Sequence, residues 1–198
     1  MARFSQRFGL TRYDADENYK LALDAYRKRQ FDEAILKMNE AIDLLPTRAE
    51  YYATRGFIYL EDGEEKKAQE DFQQALKLNA LEMLAHYGRG MIAYNSKNWD
   101  EALAHFKDAF KADPQRPETL YYLALTYHRK GDNPLALAYM EQAAASLDKA
   151  GDKRKSDAQK WQREFQRQID QQSKIGQPPP PIAGQQLQLL DGASDDDN

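Results

Sequence analysis

A spacing of 34 residues constrains this chain more than any other feature. Ala34, Ala68, Ala102 and Ala136 are separated by that step, and so are Ala41, Ala75, Ala109 and Ala143. Between the two sets stand Met38, Phe72, Phe106 and Met140, always large and apolar. Ahead of the first set stand Ala22, Gly56, Gly90 and Ala124, always small. Four positions thus keep their type through four copies with no insertion. A unit of this size cannot bury its own apolar face, but a stack of such units can, each serving as the wall for the next.

Each unit reads as two amphipathic stretches of about 12 to 14 residues, a helical period rather than a strand period. Turn residues part them: Asp62 and Gly63; Ser96, Lys97 and Asn98; Gly131, Asp132, Asn133 and Pro134. Gly63 and Gly131 suit the left-handed conformation that ends a helix. Asn133 is expected to cap the following helix, with Pro134 in its first turn. Valine is absent and isoleucine sparse, so strands have little to be built from. The expectation is an all-α solenoid of antiparallel helix hairpins. Small residues at Gly56, Gly90, Ala68 and Ala102 would let helix backbones approach, and Phe72 and Phe106 would fill the space beside them.

The pattern resembles the tetratricopeptide repeat, with units at 15–48, 49–82, 83–116 and 117–150. Glu65 and Asn133 depart from the aromatic place that Phe31 and Trp99 keep, and Ala80 and Asp148 from the closing proline of Pro46 and Pro114. The resemblance implies a right-handed superhelix that works by binding other proteins.

The flanks read differently. Residues 151–175 carry Trp161, Phe165 and Ile169 on one stripe among Gln, Arg and Lys, as a capping helix over the fourth unit would, with Ser156 or Asp157 as its N-cap. Residues 1–14 form an N-terminal extension with Phe4, Phe8, Leu10 and Tyr13, expected to pack partly on the first unit. Residues 176–198 hold four consecutive prolines, an apolar knot of Ile182, Leu187, Leu189 and Leu190, and Asp191, Asp195, Asp196 and Asp197. This composition predicts a disordered, proline-rich, acidic tail, or a short motif that docks in a groove.

The formal net charge of -4 equals the charge of that tail, so residues 1–175 sum to zero. Nucleic acid would want a net basic face, and none is indicated. With no cysteine there is no disulfide framework, thiol catalysis or thiolate metal site. No run is apolar enough for a signal-peptide core or a membrane span, so a soluble, cytoplasmic protein is expected.

No chemistry emerges from the motifs. His86, His105 and His128 make no metal-ligand spacing, and the repeat register is read as placing them on different helices and faces. The run Gly88, Arg89, Gly90 lies inside a helical pattern, not after a strand, so it is no dinucleotide fingerprint. There is no phosphate loop, and no nucleophile stands beside a base. No catalytic residue, metal or cofactor is expected.

The family resemblance implies a concave face lined by the second, fifth, sixth, ninth, twelfth and thirteenth places of each first helix. Here those places are rich in Tyr, which offers an apolar ring, a polar tip and few rotors to freeze. Tyr19, Leu23, Tyr26, Arg27, Phe57, Tyr87, Met91, Tyr94, Tyr121, Tyr122, Leu125 and Arg129 are the expected peptide-binding residues. Members that hold acidic chaperone tails use a clamp of Lys, Asn and Arg. The matching places hold Tyr19, Leu23, Thr54, Leu84 and Gly88, or, one unit later, Ala53, Phe57, Gly88, Glu118 and Tyr122. None is a clamp residue, so the expected ligand is an apolar or aromatic-anchored peptide or helix. The expectation is a non-enzymatic adaptor or scaffold. A dedicated chaperone for secretion or assembly remains open, as does a self-associating homo-oligomer whose tail docks in a groove.

Overall fold

The structure is a computed structural model that describes residues 2–175, with side chains over 11–174. Among the described residues every regular element is a helix. They are α1 (Ala2–Arg27), α2 (Phe31–Leu44), α3 (Ala49–Glu61), α4 (Glu65–Leu78), α5 (Met83–Asn95), α6 (Trp99–Ala112), α7 (Pro117–Arg129), α8 (Asn133–Lys149) and α9 (Lys155–Ile175). Consecutive helices pair into the hairpins α1–α2, α3–α4, α5–α6 and α7–α8, and α9 packs on α8. The result is an all-α solenoid. The backbone of residues 2–14 continues α1 without a break, while the predicted tail, 176–198, lies outside the described residues.

The hairpin turns are built alike. Arg29, Gly63, Lys97 and Gly131 hold the same place in each unit and all have positive φ, 59°, 86°, 60° and 84°. The next residue's N–H then reaches five residues back: Gln30 to Ala25 O, Glu64 to Tyr59 O, Asn98 to Ala93 O and Asp132 to Tyr127 O, at 2.8 to 3.0 Å. This is the Schellman closure, which satisfies carbonyls that the helix end would otherwise orphan. Gly151 repeats it between α8 and α9, with φ of 64° and Asp152 N bonded to Leu147 O.

Two cap assignments change. Asp132, not Asn133, caps α8, accepting from Leu135 N at 3.1 Å. Asn133 instead points inward, bonded to His128 Nδ1 at 2.8 Å and to Gln168 at 3.1 Å. The reason is geometric: the turn closes one residue earlier, so Asn133 falls on the buried face. Similarly, α9 starts at Lys155, which puts Ser156 and Asp157 inside its first turn. The Ser156 hydroxyl donates to Lys153 O there.

All sixteen repeated positions are buried. The close approaches are tight: a Cβ on Gly56 would stand 2.9 Å from the Phe72 ring, and one on Gly90 2.6 Å from the Phe106 ring. Phe72 also presses on the next unit, where a Cβ on Gly88 would meet Cζ at 2.2 Å. A ring at this place therefore fills both its own hairpin and the seam to its neighbour.

The two outer helices of the described stack differ. On α3, Tyr51, Thr54 and Ile58 turn toward the first unit and are buried. The matching places on α1 are Glu17, Lys20 and Asp24, all exposed, with Tyr13 and Leu21 exposed beside them. At the other end α9 buries Ala158 and Phe165 completely and half-buries Trp161, with Arg163, Gln166, Arg167 and Asp170 outside.

Candidate functional site

The first helices of the hairpins, α1, α3, α5 and α7, lie side by side, and α9 continues the row. Aromatic rings mark their shared inner face. Tyr26 on α1 meets Phe57 on α3 at 6.3 Å between ring centres, and Phe57 meets Tyr87 on α5 at 6.1 Å. Tyr87 meets Tyr122 on α7 at 5.9 Å. Tyr122 then touches Tyr94 at 5.5 Å and Tyr121 at 5.9 Å. Most of these pairs are tilted or edge-on, the arrangement that ring quadrupoles favour. The sequence scatters these rings across four units, and the fold joins them in one ladder crossing three seams.

Exposure sorts the expected residues. Tyr26, Phe57, Met91, Tyr94, Tyr121, Tyr122, Leu125 and Leu23 are half-buried, so each keeps an open side. Arg27 and Arg129 are exposed at the C-terminal ends of α1 and α7. Tyr87 is only 5% exposed and forms the floor of the hollow, not its wall. Tyr19 belongs to the α1–α3 seam: it stacks on Tyr51 at 5.2 Å and shares a hydrogen bond with Thr54 Oγ1 at 3.3 Å. Thr54 and Gly88 are buried as well, so the sixth place faces the neighbouring unit in the middle of the stack.

Burial pushes the phenols of Tyr26, Tyr121, Tyr122 and Tyr87 above their ordinary value. They therefore stay protonated across the physiological range and present uncharged O–H groups. Toward the C-terminal end the ladder opens into a hollow of about 320 Å³ lined by Tyr87, Tyr121, Tyr122, Pro117, Leu147, Glu118, Arg154 and Asp157. Arg154 crosses its rim, bound to Glu118 at 2.8 Å and to Asp152 at 2.7 Å.

Several contributors escaped the repeat-based reading. Trp99 extends the ladder, 5.1 Å from Tyr94, with the Arg129 guanidinium 5.9 Å from its ring centre. Its place in the unit is the ordinary aromatic one of a second helix, which gave no reason to look for it on the inner face. Leu147, Arg154 and Asp157 come from the end of α8 and from the segment after it, where the repeat register stops. The histidine reading holds for helices and fails for faces: the three lie on α5, α6 and α7, but His86 and His105 face each other, Nδ1 to Nδ1 at 3.2 Å. The hairpin folds these two helices together, so a difference of helix is no difference of location. Even so, among the described residues no group of three or more His, Cys, Asp or Glu is placed to hold a metal ion. A larger hollow of about 550 Å³ between α4, α5 and α6 is lined by Glu65, Lys66, Gln69, Glu70, Arg89 and their neighbours, with no aromatic ring. It offers mixed charge to water, whereas the ladder offers apolar area.

Among the described residues no helix is long and apolar enough to cross a membrane.

Comparison with known proteins agrees with this architecture. Residues 55–117 and 93–151 match the family model described as tetratricopeptide repeat. The TPR repeat-containing thioredoxin TDX of Arabidopsis thaliana is 34% identical over 102 residues, 52% of this chain and 27% of that protein. The chain spans well under a third of the length of the curated relatives it matches. Pseudomonas aeruginosa pilF superimposes with a TM-score of 0.61 at 18% identity, covering 79% of this chain and 77% of that one. The first TPR of Spaghetti (RPAP3) bound to the HSP90 peptide SRMEEVD gives 0.54 at 18% identity, over 61% and 95% of the two chains. At these identities the structural likeness is one of fold.

Proposed function

The chain is a tetratricopeptide repeat protein, and from that premise we propose that it is a non-enzymatic adaptor whose concave, ring-lined face binds an extended segment or helix of a partner protein. Proteins of this fold act as interaction scaffolds, and the observation that carries the finer reading is the continuous ladder from Tyr26 to Tyr121 and Tyr94. Tyr26, Phe57, Met91, Tyr94, Tyr121, Tyr122 and Leu125 pack against the core on one side and keep the other open. Rigid aromatic side chains of this kind supply most of the energy in protein interfaces.

The Spaghetti domain's acidic ligand does not transfer. In this chain the places of a carboxylate clamp hold Tyr19, Leu23, Thr54, Leu84 and Gly88, of which Thr54 and Gly88 are buried. None is a cation. The occupant is therefore anchored by apolar or aromatic side chains, with Arg27 and Arg129 able to pair with a carboxylate at its edge.

The test is affinity capture with the full chain and with a Tyr94→Ala, Tyr121→Ala variant, both of which leave the buried Tyr87 floor in place. The reading expects partners held by the parent to be lost from the variant while the helical circular-dichroism signal at the assay temperature holds. Equal capture by the two chains contradicts it.

A further inference from the structure

The ladder has a length that can be read from its rings. The steps Tyr26–Phe57, Phe57–Tyr87 and Tyr87–Tyr122 measure 6.3, 6.1 and 5.9 Å. The path is at most about 18 Å, which about six residues in polyproline conformation cover at ~3.1 Å each. A proline-rich strand suits such a surface. Its backbone is already extended, so little entropy is lost on docking, and its rings lie flat on aromatic faces. The phenol O–H groups along the path can donate to its carbonyls, which have no internal partner.

This chain contains a proline-rich sequence, QPPPPIAGQQLQLL at residues 177–190, which follows directly on α9. The course of α9 follows from its contacts. Asp157, in the first turn of α9, lines one hollow with Pro117 and Tyr121 early in α7. Phe165 lies 4.9 Å from His128 near the end of α7, and Gln168 accepts from Asn133 at the start of α8, 3.1 Å away. So α9 runs in the same direction as α7 and finishes at the edge of the stack where Tyr94, Trp99 and Arg129 meet.

Resting on the reading that the concave face binds an extended segment, we propose that its occupant in the free protein is this chain's own segment 177–190, laid from the α9 edge toward α1. The reach is sufficient. After Gln168, α9 carries the chain roughly 10 Å past the α7–α8 turn. Fourteen residues at ~3.1 Å each reach about 43 Å, enough to return that distance and follow the whole ladder. A tethered segment sits at an effective concentration on the order of millimolar, so a weak outside ligand is excluded and a strong one must displace it. The groove is thereby self-capped, and a partner that enters frees the tail.

A nitroxide placed on the full-length chain tests this. The sequence has no cysteine, so Gly184→Cys gives a single labelling site. The proposal expects the backbone amides of Tyr87, Tyr94 and Tyr122 to lose at least half their intensity relative to the reduced label. It expects the loss to persist when the labelled chain is mixed with tenfold natural-abundance chain, and to vanish when all four prolines, 178–181, are replaced by serine. Undiminished amides overturn the proposal. Broadening that instead requires a label on a second copy overturns it in favour of exchange between molecules, and broadening that survives the serine replacement overturns the polyproline basis. Partner capture by the Tyr94→Ala, Tyr121→Ala chain is scored separately, so the groove reading can hold while self-capping fails.

Discussion

Arg29 and Lys97 occupy a backbone conformation that glycine holds at the same place in the other two units. For a residue with a Cβ the left-handed region costs about 1 kcal/mol or more, whereas glycine visits it freely. Glycine also makes the unfolded chain more flexible, which returns part of the gain. Lys97→Gly is expected to raise stability by about 0.5 to 1 kcal/mol, read as a higher midpoint in urea with unchanged slope. The opposite substitution logic applies at Gly88. A methyl group there would overlap the Phe72 ring, so Gly88→Ala should cost about 1 to 3 kcal/mol. Because the conflict is with one ring, Phe72→Leu in the same chain should recover part of that loss, a non-additivity that only contacting residues show. Gly88 also shows where the sequence was hard to read. Its spacing fitted the concave stripe, and only the position of Phe72, on a different hairpin, reveals that it is a seam residue.

At the scale of helices and hairpins, the seams are held by more than apolar area. Arg55 on α3 forks onto Asp71 with two bonds of 2.7 Å and reaches across to Asn39 on α2 at 2.6 Å, tying the first unit to the second. In the third hairpin, His86 Nε2 lies 3.0 Å from the Ala80 carbonyl, which can only accept, so that nitrogen carries the proton. His86 Nδ1 then accepts from His105 Nδ1. Burial holds His105 below its ordinary value, helped by Arg89 and His86 and opposed by Glu101 and Asp108. Its folded pKa is thus lower than its unfolded one, and the unfolded state binds the proton more readily. That contribution to stability is complete above about pH 6.5 and is lost as pH falls toward the folded value, with a slope that one proton limits to about 1.4 kcal/mol per pH unit. Glu82, whose carboxyl burial raises, acts in the opposite sense near its own lower range. Between pH 7.5 and 5.5, Tm should fall in the parent and fall less in His105→Gln; equal slopes would exclude His105 as the source. The sequence showed the four hairpins because their core is repeated four times. It hid the histidine pair because a contact made once, between unlike places, leaves no period to read.

At the scale of the whole molecule, the outer faces of the end helices and the ladder of rings are made by separate residues. The exposed charges Glu17, Lys20 and Asp24 of α1 and the polar outer side of α9 lie apart from the ladder of rings on α1, α3, α5 and α7, whose α5 and α7 members line the hollow. The stripe of tyrosines was visible in the sequence once the register was known, since neighbouring first helices must share a face. Which rings floor the hollow and which wall it was not visible, because that depends on how far one unit turns on the next. Trp99 lay beyond reach because its second-helix place is an ordinary aromatic one, and Arg154 because the repeat register stops before it. The measurement that bears most directly on the account is the affinity of a captured partner for three chains: the parent, Tyr94→Ala with Tyr121→Ala, and Leu36→Ser with Leu135→Ser, two exposed residues of second helices. Two interface aromatics of about 1 to 2 kcal/mol each predict a Kd weaker by at least tenfold for the tyrosine variant and unchanged for the leucine variant. An unchanged Kd for the tyrosine variant, or a loss confined to the leucine variant, would contradict it.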